Sequence, residues 1–257
     1  MAASQLDSLL EPSHAEPVAP LRPSLAFSVD AQWVRNSNGL RFDAAHYNPK
    51  LAKAIAMLRA SGMELRPLGD VTERVFIPGR FKRVYVQKAH GVPFVQGSHI
   101  VHFQPADIKY ISPAVHKKMD QWLIRENWLL VTRSGTVGRV AITPKSWDGW
   151  AASEHLLRIV PESGAECPPG YLHAFLQSFA GQSQLTSHIY GAVVDELTED
   201  QAKGILVPIA RTPAQRSAVK KINELGMEAL HLRDAAVAAA MATFDRIAEL
   251  LGDGTEI

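Results

Sequence analysis

A long stretch without proline near the C-terminus constrains this chain more than any other feature of its sequence. Thr212 is a favourable N-cap residue, Pro213 suits the first helical turn, and Gln215 holds the second position of a capping box. No proline follows, and Gly252 provides a stop after Leu251. The sequence therefore predicts one helix from Pro213 to Leu251, roughly 38 residues and about 57 Å long.

Two narrow apolar seams follow this predicted helix, which is too long to lie on a small domain. The small side chains between Ala235 and Ala242 would also let another helix approach closely. We expect the seams to form a coiled-coil-like surface for a partner or for a second copy of the chain. The alternative is a helical hairpin that breaks at Gly226. The first seam contains Ile222, Leu225, Ala229, Leu232 and Ala236, and the second contains Val237, Met241, Phe244, Ala248 and Leu251.

Between Leu65 and Pro208 the sequence changes to short apolar runs that are separated by turn residues. A helix is predicted before this region, with Asn48 as its cap, Pro49 in its first turn and Gly62 at its end. The predicted strands are residues 83–87, 128–132, 139–143, 156–160 and 206–209, and a second helix is predicted near residues 171–179.

These elements predict the fold class α+β, with an irregular, mostly-β domain that has a few helices and is followed by one long C-terminal helix. We divide the chain into a flexible leader (1–24), a domain (25–210) and the helix (211–257). The strands at 128–132 and 139–143 are expected to pair as a hairpin through a glycine-containing loop.

Composition narrows the class of protein. The 257 residues are 46% apolar, which is enough for a core, and no stretch of ~18 uncharged apolar residues could span a bilayer. The first 24 residues lack the basic region and the apolar run of a signal peptide. Cys167 is the single cysteine, so an intramolecular disulfide and a Cys-rich zinc site are both excluded. We therefore expect a cytoplasmic protein without a membrane partner.

The net charge of +1 conceals an uneven distribution along the chain. From Arg66 to Lys145 there are 13 lysines and arginines against 5 acidic residues, whereas from Ser146 to Ala210 there are 2 against 8. A basic segment of this kind is typical of a surface that binds nucleic acid. The alternative is that these charges only line solvated faces.

Motifs for catalysis are missing from the sequence. There is no glycine-rich strand–helix turn for a methyltransferase cofactor, no P-loop, no Gly-x-Ser-x-Gly and no HExxH. Gly135 and Gly138 lie between two predicted strands, so they are interpreted as turn glycines. We predict no catalytic residue, no cofactor and no metal site. An unfamiliar active site built on Glu154–His155 or Asp107 is the enzyme alternative.

Binding groups are concentrated in the basic segment. Arginine and lysine side chains would contact phosphates, and neighbouring polar side chains would read base edges. The predicted DNA-binding residues are Arg80, Lys82, Arg83, Tyr85, Lys88, Gln96, Ser98, His99, Lys117, Lys118, Arg133, Ser134, Thr136 and Arg139.

Five stretches, taken in order, resemble the target recognition domain of type I restriction–modification specificity (S) subunits. The resemblance covers roughly residues 65–250, and residues 41–47 (RFDAAHY) are similar to a lead-in of related domains. The stretches are 91–100 (GVPFVQGSHI), 128–141 (WLLVTRSGTVGRVA), 152–155 (ASEH), 171–178 (YLHAFLQS) with Gly181-Gln182, and 206–209 (LVPI) with Gln215.

The resemblance implies a non-catalytic subunit. In that family the recognition domain binds double-stranded DNA, and a long helix acts as a spacer that docks methyltransferase (M) subunits. Adenine methylation and ATP-driven cleavage by a restriction (R) subunit belong to the partners. The alternative is an orphan DNA-binding or interaction module of another phage-defence system that has no methylation complex.

A full S subunit carries two recognition domains and two long helices, whereas this sequence predicts one of each. The chain is therefore expected to behave as a half subunit. Two copies would associate through the predicted helix, with Ile222, Leu225, Leu232, Val237, Met241, Phe244 and Leu251 in the contact.

Overall fold

The structure is a computed structural model that describes residues 28–35, 49–105, 107–115, 119–162, 164, 166–187 and 196–251. The predictions for the leader, for the Asn48 cap, for residues 41–47, for Lys117 and Lys118 and for the Gly252 stop lie outside these ranges.

Two helices precede a series of nine strands in the described chain, and three helices, a tenth strand and the long C-terminal helix follow. The helices are α1 (Ala31–Arg35), α2 (Pro49–Ala60), α3 (Pro169–Gln177), α4 (Phe179–Thr186), α5 (Glu199–Lys203) and α6 (Pro213–Leu251). The strands are β1 (Glu64–Pro67), β2 (Thr72–Phe76), β3 (Tyr85–Val86), β4 (Val92–Val95), β5 (Lys109–Ile111), β6 (Leu129–Thr132), β7 (Val140–Ile142), β8 (Ala151–Ala152), β9 (Leu156–Pro161) and β10 (Leu206–Ile209). Single turns of 3₁₀ helix cover Leu68–Asp70, Lys88–His90, His99–Val101, Met119–Trp122 and Lys145–Trp147.

A four-stranded antiparallel sheet in the order β2-β9-β6-β7 lies at the centre of the domain. Every residue of β6 is buried, as the continuous apolar run of Leu129–Thr132 predicts. Leu157 and Ile159 of β9 pack into the main core, which also contains α2, α3 and α4. Leu156 of β9 belongs to a second cluster on the other side of the sheet. The central sheet is therefore covered on both faces.

A second sheet, in the order β3-β5-β4-β8, covers the far face of the central sheet. Val95 of β4 and Ala152 of β8 share an apolar cluster with Leu130 and Leu156 of the central sheet. β4 and β8 run parallel, and β8 then leads directly into β9. The connection at residues 153–155 thus carries the chain from one sheet to the other.

The strands that were predicted from apolar runs are present, with small shifts at their ends. β6 and β7 form the expected hairpin, and β9 covers the predicted 156–160 run. β10 pairs with β1 in a separate two-stranded ribbon, in which Pro208 lies opposite Leu65. The predicted strand at 83–87 is shorter, because only Tyr85 and Val86 pair with β5.

The C-terminal helix is continuous, and the prediction of one long helix is confirmed. Its capping box is formed: Gln215 N donates to Thr212 Oγ1 at 3.2 Å, and Thr212 N donates to Gln215 Oε1 at 3.1 Å. The helical-hairpin alternative is wrong, since the helix passes through Gly226 without a break. A Cβ at Gly226 would lie 3.2 Å from Gly170 Cα, so the glycine allows α6 and α3 to cross closely.

The first part of α6 packs on the core of the domain, and isolated polar contacts continue as far as Met241, whose Sδ accepts a hydrogen bond from Gln104 Nε2 at 3.0 Å. Val219 and Ile222 are buried, and Met227 and Leu230 pack against the main core. Ile222 was expected in the contact with a partner, but its side chain is taken up by the core of its own domain. Further along, Arg233 donates hydrogen bonds to the carbonyl oxygens of His102 and Phe103, and Asp234 accepts hydrogen bonds from Ser146. The exposed apolar side chains of this helix are Leu232, Met241, Phe244, Ile247, Leu250 and Leu251.

None of the helices within the described ranges combines the length and the apolar character that a membrane span requires.

Gly170→Ala should loosen the attachment of α6. Alanine normally stabilises a helix relative to glycine. A Cβ at position 170, however, would lie 2.6 Å from the backbone oxygen of Asn223 and 2.9 Å from its Oδ1. Overpacking of this kind costs about 1–3 kcal/mol. We expect the melting temperature in thermal unfolding to fall by about 2–4 °C for each kcal/mol lost.

Gly79→Ala is the matched control, because nothing lies within 4 Å of a Cβ at Gly79. Equal melting temperatures for the two variants would contradict this account of the helix crossing.

Candidate nucleic-acid interface

The outer face of the second sheet presents an exposed tyrosine beside a lysine, and an arginine lies over a buried phenylalanine next to it. Phe94 lies opposite Lys109, and Tyr85 lies opposite Ile111, so Tyr85, Phe94 and Lys109 share one face of the sheet. Tyr85 is 45% exposed, and Lys109 Nζ lies 5.2 Å from its ring centroid. The Arg83 guanidinium lies 5.3 Å from the Phe94 ring centroid. An exposed aromatic ring beside a cation, as Tyr85 is beside Lys109, suits contact with bases and phosphates.

A packed aromatic anchors the neighbouring basic residues beside this face. Phe81 lies between Arg80 and Lys82, and its ring centroid is 6.0 Å from that of Phe94 and 4.3 Å from that of Trp122. Arg80 and Lys82 are both exposed, as is Lys88 after β3. We call Arg80, Lys82, Arg83, Tyr85, Lys88 and Lys109 the basic face.

Residues 134–138, here called the glycine hairpin, form a rigid turn between β6 and β7. Gly135 and Gly138 have φ values of 72° and 89°, which explains glycine at both positions. The Thr132 hydroxyl accepts a hydrogen bond from Arg139 N at 2.9 Å and donates one to Thr136 O at 2.5 Å. Gln182 Nε2 donates to Gly138 O at 2.8 Å, which fastens the hairpin to α4. Gly135 and Thr136 at its tip are exposed.

Residues 153–155, here called the bridging turn, join the basic face to the glycine hairpin. On one side, Arg83 Nη2 lies 2.7 Å from Glu154 Oε2. On the other side, the Ser134 hydroxyl is hydrogen-bonded to His155 Nδ1 at 2.8 Å, and Arg133 N donates to His155 O at 3.0 Å. Two predicted groups that are separated in sequence are therefore neighbours in the fold.

Two of the predicted arginines are already paired within the chain. Arg133 lies 2.6 Å from the Glu196 carboxylate and donates from Nε to Leu197 O, and its side chain is mostly buried. Burial works to raise the pKa of Glu154, but the hydrogen bond from Arg83 and other contacts outweigh it and hold this pKa below its usual range. Glu154 is therefore ionised at neutral pH and offsets the charge of Arg83.

The turn that follows β4 lies beside the hairpin but turns its histidine inward. Gln96 N donates to His99 Nδ1 at 3.2 Å, and His99 is buried. Burial lowers the pKa of His99, so its imidazole is neutral at neutral pH. Ser98 is exposed and Gln96 is partly exposed. His99 thus shapes this turn, while Ser98 and Gln96 are the members that solvent reaches.

The remaining predicted residues divide between the surface and the part of the chain that is not described. Arg139 is exposed at the start of β7. Lys117 and Lys118 lie outside the described residues.

The prediction omitted several side chains that build the site. Lys109 lies in β5, a strand of three residues that was not predicted, so no local pattern indicates its place beside Tyr85. Glu154 and His155 were named only within a family motif and as the basis of the enzyme alternative, not as groups that organise a binding surface. Glu196 pairs with Arg133, and Gln182 ties down the hairpin, but no local pattern indicates either contact.

The Glu154–His155 pair does not have the geometry of an acid–base pair. His155 Nε2 lies 3.8 Å from Glu154 Oε1, which is longer than a hydrogen bond, and Arg83 holds the other carboxylate oxygen. In the described part of the chain, no group of three or more His, Cys, Asp or Glu side chains is placed to hold a metal ion. The arrangement as a whole consists of exposed cations and polar side chains around two hydrogen-bonded turns.

No protein-family model matches this chain, and no curated protein matches it. The chain is similar to several solved structures. One is a structure from work on the structural basis of complex assembly and conformational transition of the type I R-M system. It has 15% identity to this chain and a TM-score of 0.48, and the match covers 82% of this chain and 52% of that one. It is also similar to the HsdS subunit from Thermoanaerobacter tengcongensis, with 15% identity and a TM-score of 0.47 over 82% and 51% of the two chains.

A third structure is the type I restriction–modification system S subunit from M. genitalium, with 13% identity and a TM-score of 0.46 over 95% of this chain and 55% of that one. The chain spans about half the length of each of the three structures, at 51–55%.

Proposed function

We propose that this chain is a sequence-specific DNA-binding specificity subunit, which directs a partner adenine methyltransferase or restriction complex to its target and does no chemistry itself. One observation carries the proposal: the bridging turn joins the exposed basic face to the rigid glycine hairpin. The result is one surface with groups for phosphates and groups for base edges.

The chemistry of this surface fits duplex DNA. Arg80, Lys82 and Lys88 are exposed cations that form no ion pair within the described residues, and they suit phosphate contacts. Ser98 and Thr136 are exposed hydroxyl side chains that can donate and accept hydrogen bonds at base edges. Because the glycine hairpin is held by hydrogen bonds before any ligand binds, little conformational entropy would be lost on binding.

The long helix supports a role in assembly. Its first part is fixed to the domain, while Leu232 and Phe244 are 65% and 58% exposed. Apolar side chains at these positions on an ordered helix suit contact with another helix. The sequence resemblance to S subunits assigns that contact to M subunits, to an R subunit bound through them, or to a second copy of this chain.

The same surface would serve an orphan DNA-binding module that has no methylation complex. The exposed apolar seam of α6 favours a subunit that binds a partner, since a DNA-binding protein that acts alone does not need such a surface. Co-expression with a candidate adenine methyltransferase separates the two. We expect a stable complex that methylates adenines in a defined duplex sequence, whereas neither protein alone does so. Methylation or cleavage of DNA by this chain alone would instead point to an enzyme.

Removal of three cations from the basic face should weaken DNA binding in a salt-dependent way. We expect Arg80→Ala, Lys82→Ala and Lys88→Ala together to lower affinity for a duplex at low salt. Each lost phosphate contact should also reduce the slope of log K against log salt by about 0.9. Fluorescence anisotropy with a labelled duplex, measured over a range of salt concentrations, gives both quantities.

The charge-matched control replaces Lys220, Lys221 and Arg246 of α6, which are also exposed. If both triple variants lost the same affinity, the effect would reflect net charge, and the basic face would not be the DNA surface.

Self-association should depend on the second seam of α6. We expect light scattering to give about twice the protomer mass of 28.2 kDa for the unmodified chain. Met241→Asp with Phe244→Asp should return the chain to a monomer, because paired charges in an apolar helix contact are costly to bury. Thr243→Asp, at an exposed position outside the seam, is the control. A strict monomer with and without an M subunit would exclude pairing through this helix.

A further inference from the structure

Arg158 is a fully buried cation between the two sheets. It lies on β9, opposite Leu130 of β6 and Phe76 of β2, on the face that turns towards the second sheet. Its side chain has no solvent exposure, and Leu130 and Leu156 belong to the apolar cluster on this side of the sheet. Burial lowers its pKa to about 9, so the guanidinium remains protonated at neutral pH. No ion pair involves Arg158 within the described residues.

The guanidinium is surrounded by backbone carbonyls of one short segment. Nη2 donates to Ala152 O at 2.6 Å, and Nη1 donates to Ser153 O at 2.7 Å and also to Leu156 O. These carbonyl groups lie at both ends of the bridging turn. Nε has no partner among the described atoms. Within the described residues, the hydrogen bonds of the Arg158 side chain therefore all go to the bridging turn and its two ends.

A charge in such a place is costly, and an apolar side chain of similar size would ordinarily be more stable there. The cost has a local counterpart, since these donors bond carbonyl oxygens in the buried layer between the sheets, where an unbonded acceptor is also costly. Ser153 O accepts a second hydrogen bond, from Leu156 N at 3.0 Å. A guanidinium offers several N–H groups in a planar fork and can reach carbonyls that are spread over five residues. A lysine ammonium, with its donors on one atom, cannot span the same set.

We infer that Arg158 is a positioning residue for DNA recognition: it fixes the bridging turn and thereby sets how Glu154 and His155 hold Arg83 and Ser134 towards the DNA. Because it is buried, Arg158 touches neither phosphates nor bases. Its loss should leave the exposed cations in place and disturb only the arrangement that joins them to the glycine hairpin. The inference rests on the proposed function.

If Arg158 has this role, its replacement should reduce sequence-specific DNA binding and leave non-specific DNA binding almost unchanged. In Arg158→Met and Arg158→Lys, affinity for random-sequence duplex should stay within about twofold, with an unchanged salt slope, because phosphate contacts dominate non-specific binding. Discrimination between the preferred sequence and a scrambled duplex should fall by about tenfold or more in Arg158→Met, and by less in Arg158→Lys, since lysine keeps the charge and part of the hydrogen bonding.

The experiment selects preferred duplexes from a random library with the full chain, and then measures discrimination for each variant together with its melting curve. Leu130→Ala is the matched control, because it removes apolar volume directly opposite Arg158 without touching the turn carbonyls. We expect this control to melt at a lower temperature, by the ordinary cost of a core cavity, and to keep full discrimination.

Three results would overturn the inference: unchanged discrimination in Arg158→Met, an equal loss in Leu130→Ala, or the absence of cooperative melting in both Arg158 variants, which would assign the residue to the fold as a whole. Failure of the unmodified chain to bind any duplex is a different result. It would overturn the proposed DNA-binding function, and this inference with it.

Discussion

The crossing of the chain from β8 to β9 is the constraint on which the rest of the site depends. β8 pairs in parallel with β4 in one sheet, and β9 pairs with β6 in the other, so the turn between them must satisfy two sheets within a few residues. Such a turn leaves carbonyl groups in a buried layer, where each needs a hydrogen-bond donor. Arg158 supplies donors from the adjacent strand, and the side chains of the turn are then free to bond outward.

A second rigid connection links the domain to its long helix. Gly170 and Gly226 let α3 and α6 cross closely, and Arg233 and Asp234 bind two loops of the domain a little further along. Together these contacts leave α6 little freedom to rotate about its axis or to tilt. The direction in which Phe244 and its neighbours project is thus set by the domain, so a partner bound there would have a defined position relative to the proposed DNA surface.

Sequence reasoning succeeded where local chemistry decides structure. The capping box at Thr212, the glycine turn between β6 and β7 and the buried run of β6 all depend on nearby residues. It failed where partners are distant: Arg83 bonds to Glu154 across 71 positions, and no periodic pattern indicates that pair. The burial of Arg158 could not be predicted either, since a polar residue in an apolar strand ordinarily marks a solvent-facing position.

In the fold, the basic segment of the sequence is partly neutralised by the acidic segment that follows it. Arg83 and Arg133 belong to the basic segment, but their partners Glu154 and Glu196 come from the acidic segment that follows it. The two segments therefore partly neutralise each other, and these two arginines act mainly to hold loops in place. If the chain binds DNA as proposed, attraction for phosphates depends on the smaller set of exposed cations that form no ion pair within the described residues. Such a surface would gain discrimination from the fixed geometry of its polar groups more than from its net charge.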